Sequence, residues 1–178
     1  TGGGLFAVIE LFHREALDLD PDLLALGGTL GRQLGQFIDR LRAEQDLRFQ
    51  KTLLESQSEA AIDGILVVSD SGVMISYNRR FMEMWDIPPE VMRSRTDEVA
   101  LQSVIDKLVE PREFLDRVKH LYEHPEEESR DEIHLKDGRT FDRYSAPVRG
   151  ADRVIYGRVW YFRDVTGRRR TEENLRRA

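Results

Sequence analysis

The sequence contains no cysteine. That absence removes disulfides, thiolate metal sites and cysteine nucleophiles. Long apolar runs are missing as well: no stretch approaches the ~20 residues needed to span a bilayer, and no signal-peptide pattern opens the chain. The expectation is a soluble, cytoplasmic protein without a membrane segment. Positive charge is not in excess. Twenty-seven lysines and arginines against 33 aspartates and glutamates leave a net charge of −6, which argues against a general nucleic-acid binder.

What is present suits one domain with accessory elements. The 40% of hydrophobic residues can fill one core, while the 34% that are charged make a very polar exterior. The opening TGGG reads as a cut end, so the chain is expected to be a piece of a longer protein. Residues 5–12, LFAVIELF, are rich in strand formers and too short for a helix of their own, and read as a buried strand. A long helix follows. Asp20 is a good cap with Pro21 at the first helical position. Leu23, Leu26, Leu30, Leu34, Phe37 and Leu41 then recur at intervals of three and four, the seam spacing of a coiled coil, and the pattern continues less strictly through Leu47, Leu54 and Ala61. Two readings fit the seam. It pairs two chains, giving a homodimer through the helix around residues 20–60, or it lies on its own domain. One short strand cannot provide the core that the second reading needs, which favours a partner.

From Gly64 the period changes. GILVVSDSGVMISYN is two β-rich runs around the turn Asp70-Ser71-Gly72. Asn78 can cap the next helix, where Phe81, Met84 and Trp85 share a face and Pro88-Pro89 bring it to an end. Short helical turns lead to a helix over EPREFLDRVKHLYEHPEEE, with Phe114, Leu115, Val118, Leu121 and Tyr122 inward. Three strand-like segments close the domain: SRDEIHLKDG, then RTFDRYSAPV after a turn at Asp137-Gly138, then RVIYGRVWYFRDV. In the last, Val159 and Tyr161 alternate with Trp160 and Phe162, so the strand is apolar on both faces, and the second face must be covered by a helix or a partner chain. The fold class is α+β: an antiparallel sheet of about five strands, helices gathered on one side, and a helix at each end.

Residues 53–167 resemble a PAS domain, the sensor module of many bacterial signalling proteins. The resemblance rests on DGILVVSDSGVMISYNRRFMEMW, on HLKDGRTFDRYSAPV, and above all on GRVWYFRDVTGRRRTEENLRR. Asp164-Val165-Thr166 stands where the family has its Asp-Ile/Val-Thr junction between the final strand and the output helix. Residues 2–46 are similar to the last strand and last helix of a GAF domain. The implied division is a GAF-like tail with a dimerisation helix over 1–50, a PAS sensor over 51–167, and the start of an output helix over 168–178. At such a junction Asp164 and Thr166 can accept hydrogen bonds from freed backbone N–H groups, and Asp164 can pair with an arginine such as Arg168. The resemblance implies that a C-terminal effector follows, a histidine kinase of a two-component system or, alternatively, a diguanylate cyclase.

Further chemistry is sparse. His120 and His124 are four apart on one helical face, a spacing that suits a metal. Some relatives bind haem through a histidine on the equivalent helix, which makes His120 the metal candidate; the plainer reading is a solvent-facing pair beside Lys119 and Glu123. The cysteine adducts of flavin-binding and coumarate-binding relatives are impossible here. No serine has a matching histidine and acid, and the glycines form no phosphate loop, so no catalytic residue is expected. There remains a small-molecule pocket inside the sheet. Tyr77, Trp85, Tyr144, Trp160 and Phe162 are the aromatics that would line it, with Arg95 and Arg143 as anion partners. The alternative is a solid core, in a domain that only dimerises and relays.

Overall fold

The computed structural model describes residues 20–177. The strand expected over 5–12, and with it part of the GAF-like segment, lies outside them. The chain divides into two units, one up to Leu54 and one from Glu55 onward.

The first unit is the body of helix α1 (Pro21–Glu59). Its start is set by local chemistry: the Asp20 carboxylate accepts from the Asp22 N–H at 2.9 Å, and the Asp20 carbonyl receives the first helical bond from Leu24. Pro21, which has no N–H to lose, takes the first turn. Of the seam, Leu26, Leu30, Leu34, Phe37 and Leu41 are exposed. The helix ends at Glu59, so Ala61, expected to continue the seam, stands beyond it.

The second unit is a five-stranded antiparallel sheet: β1 (Gly64–Ser69), β2 (Met74–Tyr77), β3 (Ser129–His134), β4 (Thr140–Arg149) and β5 (Ile155–Asp164), in the order β2-β1-β5-β4-β3. Between β2 and β3 the chain forms α2 (Arg79–Trp85), α3 (Pro89–Arg93), α4 (Asp97–Val104), a 3₁₀ turn (Ile105–Lys107) and α5 (Pro111–Glu123), and α6 (Thr166–Arg177) follows β5. The first hairpin turns where Gly72 takes φ +77°. The α2 helix stops at Trp85 because Asp86 enters the left-handed region, two residues before the prolines expected to end it. Pro89 instead starts α3.

Strand alternation sorts β5 into two faces. Arg158, Trp160 and Phe162 point into the core with Leu66, Val68, Phe81, Met84, Trp85, Phe114 and Phe141. Val159 and Tyr161 lie on the opposite face, half-buried, with Tyr161 stacked on Tyr144 of β4. That face is therefore sheltered in part by the side chains of neighbouring strands. Gly157 is required where β5 crosses β1: its φ is +153°, and a Cβ there would stand 2.1 Å from the Val68 carbonyl oxygen.

Asn78 joins these parts. Wholly buried, its side-chain oxygen accepts from Ile65 N and Phe81 N, while its amide donates to the carbonyls of Ser58 and Asp63, all four at 2.8–2.9 Å. One side chain thus caps α2, pins the start of β1 and holds the end of α1. Asn78→Ala should lower stability by about 3 kcal/mol, because several buried groups lose their partners together. In urea this would be read as a lower midpoint at unchanged slope; a loss below about 1 kcal/mol would count against that role.

Candidate functional site

The inner face of the sheet lines a cavity of about 30 Å3 between β1, β4 and β5 and helices α2, α4 and α5. Its walls are mostly apolar side chains, among them Leu66, Ile87, Ala100 and Val104, with Trp85, Phe114, Trp160 and Phe162 supplying rings and Asp97 and Arg143 the charged groups. Small-molecule sites commonly run to roughly 300–1,000 Å3, so this packing leaves room only for a very small guest.

Local sequence fixes each wall. Trp85 is the last residue of α2, whose final carbonyls are held by two cations: Lys107 Nζ donates to the Trp85 and Asp86 oxygens at 2.6 and 2.7 Å, and Arg139 Nη1 to the Met84 oxygen at 2.6 Å. The indole packs edge-on against Phe141 and Phe162, with centroids 5.2 and 5.3 Å away. Arg143 sits on β4 facing inward, 1% exposed. Its Nε and Nη2 grip both oxygens of Asp131 on β3 at 2.9 and 2.6 Å, and its Cζ lies 4.8 Å from the Phe114 centroid and 5.4 Å from that of Trp160. Asp131 also lines a broad polar groove between α5 and β3, so the ion pair runs from the groove to the cavity. A second inward arginine, Arg158, donates to Ser145 Oγ and to the carbonyls of His124 and Pro125; burial holds it below the usual arginine range.

Of the residues proposed from sequence, Trp85, Trp160, Phe162 and Arg143 come together here. Tyr77 packs against the core without lining the cavity. Tyr144 points to the opposite face of the sheet and donates to Glu128. Arg95 is exposed and serves through its backbone: with φ +53° it turns the chain after α3, and its carbonyl accepts from Met74 N. His120 bonds Glu127 at 2.8 Å and stacks on His124. Among the described residues no group of three or more His, Asp or Glu side chains is placed to hold a metal ion, and no helix is long and apolar enough to cross a membrane.

The strand-to-helix junction is bonded in both directions. Asp164 Oδ1 accepts from the Thr166 N–H at 2.9 Å and from its hydroxyl at 2.5 Å, while Thr166 Oγ1 accepts from Thr140 N at 3.0 Å. Val165 N donates to the Thr140 carbonyl at 2.9 Å. Arg168 does not make the pair with Asp164 suggested from sequence: it bonds Glu172 one turn on within α6, while Asp164 belongs to the strand before the helix and already accepts twice from Thr166. The arginine that ties α6 to the sheet is Arg169, whose Nε donates to Glu132 of β3 at 3.0 Å.

Asp97 is the polar wall residue that sequence reading passed over. Only 6% exposed at the start of α4, it accepts a short hydrogen bond from the Tyr122 hydroxyl. Burial pushes its carboxyl above the usual aspartate range, against the lowering effect of that bond, and pushes the Tyr122 phenol up as well. The folded state therefore holds this proton more tightly than the unfolded chain. The resulting stability is fully present below the ordinary value near 3.8 and is lost as pH rises through the raised folded value. Asp97→Asn, which keeps an acceptor for Tyr122, should show a smaller loss of urea stability between pH 4 and pH 7 than the parent. An equal loss in both proteins would show that Asp97 does not titrate there.

Comparison with known proteins agrees with this architecture. A family model described as PAS fold matches residues 59–173. No curated protein sequence matches. Among solved structures, the PAS domain of Bordetella pertussis BvgS is 13% identical with a TM-score of 0.52, the match covering 71% of this chain and 94% of that one. The sensor region of a sensor histidine kinase is 19% identical at a TM-score of 0.47, covering 61% of this chain and 41% of its own, and a phage VqmA–DPO complex is 18% identical at 0.47, covering 75% and 60%. The chain thus spans less than two thirds of the length of these last two. With more than half of its residues matched by the PAS model, and the fold shared with BvgS, the chain belongs to the PAS family.

Proposed function

We propose that this chain is the sensory and regulatory part of a bacterial signalling protein, and that its PAS domain, residues 51–167, passes an input through Asp164, Val165 and Thr166 to an effector following α6. The observation that carries the reading is the double bonding of Thr166: its side chain is held by Asp164 at the end of β5 and by Thr140 at the start of β4. A helix start fastened to two strands must respond when those strands move, and a ligand or an upstream domain supplies that motion by shifting a population. The effector is a histidine kinase of a two-component system, residues 2–46 are the tail of a GAF domain, and residues 168–178 begin the output helix. Replacing Asp164 and Thr166 together by alanine in the full-length protein should uncouple effector output from input, at a cost to domain stability of about 1–2 kcal/mol. Regulation that survives in a folded double variant would sink the relay.

The exposed Leu26, Leu30, Leu34, Phe37 and Leu41 support a homodimer through α1, since a stripe of large apolar side chains at seam spacing is costly to leave in water. Leu34→Glu together with Leu41→Glu should convert a micromolar dimer to monomer in sedimentation; dimers that persist would place the contact elsewhere. A second reading, a dimeric relay with no small ligand, is favoured by the small size of the cavity.

A further inference from the structure

Two contacts fasten the last turn of α1 to the start of α2. The Glu59 carboxylate accepts from the Arg79 N–H at 3.2 Å, and the Asn78 amide donates to the Ser58 carbonyl at 2.8 Å. The same amide donates to the carbonyl of Asp63 at 2.9 Å, so one group holds both the end of the helix and the residue that leads into β1. The Asp63 side chain then reaches across 100 positions of sequence to β5. Its Oδ1 accepts from Arg163 Nε and its Oδ2 from Arg163 Nη2, each at 2.7 Å.

Arg163 stands directly before Asp164, whose carboxylate holds the start of α6. We propose that the Asp63–Arg163 bridge couples the last turn of α1 to the first turn of α6, so that a movement of the entering helix reaches the output helix without any occupant in the core. This names the route of input in the relay reading above and rests on it.

Register makes the bridge a separate link. The backbone ladder between β1 and β5 begins with Gly64 opposite Phe162. Asp63 and Arg163 lie one step beyond it, and there the two segments are joined by their side chains. An exposed ion pair generally contributes little, because two long, solvated side chains must be held in one geometry. Here the Asp63 side chain is only 18% exposed, and two parallel bonds fix the guanidinium against the carboxylate. The pair also belongs to a series. Arg163 lies opposite Asp142 on β4, and Asp142 accepts from Nε and Nη2 of Arg130 on β3. Charges therefore alternate from Asp63 through Arg163 and Asp142 to Arg130. A displacement of Asp63 bears on β5 at its last residue but one, past the end of its pairing with β1.

A double-substitution cycle read by amide hydrogen exchange tests the route in this chain, with neither ligand nor effector required. Asp63→Asn and Arg163→Gln each remove one charge at similar size, and are measured singly and together. Exchange is followed at the Arg169 N–H, which closes the first turn of α6 on the Val165 carbonyl. The Phe114 N–H, bonded to Glu110 in the first turn of α5, serves as the reference. Asp63→Asn should speed exchange at Arg169 roughly two- to fivefold, the scale of one ion pair, and leave Phe114 unchanged. In the Arg163→Gln background it should add nothing further. An unchanged Arg169 rate in Asp63→Asn overturns the proposal, as do effects that simply add in the double variant. An equal rise at Phe114 overturns it too, since the bridge would then contribute only to overall stability. Loss of regulation in the full-length Asp164, Thr166 double variant together with additive exchange effects defeats the bridge and leaves the relay standing. A non-additive cycle with regulation intact in that variant does the reverse.

Discussion

Strand β5 is hydrogen-bonded along both edges, to β1 on one side and β4 on the other, and every other part of the domain is placed with respect to it. A strand in that position cannot slide alone: a one-residue slip would send Arg158, Trp160 and Phe162 out of the core and bring Val159 and Tyr161 in. The glycine at position 157 tightens the constraint, because β1 passes so close that no Cβ fits. Movements open to β5 are therefore tilts and twists shared with its neighbours. Such movements reach α6, which begins two residues after the strand ends.

The core built on this strand is unusual in holding two arginines, and they are satisfied differently. Arg143 has a carboxylate and two aromatic faces. Arg158 is held by a hydroxyl and two carbonyls at the end of α5, with its Cζ 5.8 Å from the Trp160 centroid. Burying a cation is expensive unless its geometry and hydrogen bonds are good. A leucine at either site would pack more simply, so stability alone does not account for these residues. In Arg143 the remaining donor, Nη1, is buried without a partner. A buried donor without a partner costs stability.

The features legible in the sequence were those written in adjacent residues. Asp20-Pro21, the Gly72 turn, the Asn78 cap, the Asp137-Gly138 turn and the pairing of Asp164 with Thr166 each use side chain and backbone within about four positions, where residue type and spacing carry the information. Alternation in β5 separated Trp160 and Phe162 from Val159 and Tyr161. The interactions that shape the cavity span longer distances. Arg143 with Asp131, Arg169 with Glu132, Lys107 with the end of α2, and Tyr122 with Asp97 are separated by 12 to 37 positions. No local pattern marks them, and all require the packing of the elements to be known first. Tyr144 went to the wrong face for the same reason: its own strand alternates correctly, but which phase faces the helices is decided by Phe141 and Arg143 packing inward.

Cavity and junction are close neighbours through covalent structure. Trp85 packs edge-on against both Phe162 and Phe141. Phe162 lies two residues before Asp164, and Phe141 follows Thr140, the residue whose N–H and carbonyl bond Thr166 and Val165. One indole ring thus touches the two strands that together hold the start of α6. Packed interiors respond to a guest by shifting between discrete arrangements because side chains interdigitate with little free volume. If the indole turns, its two aromatic neighbours must adjust, and they sit at the strand ends where a tilt bears directly on the Thr166 cap. In the proposed relay, core packing and output therefore share one element, the aromatic pair on β4 and β5, with no longer chain of contacts required.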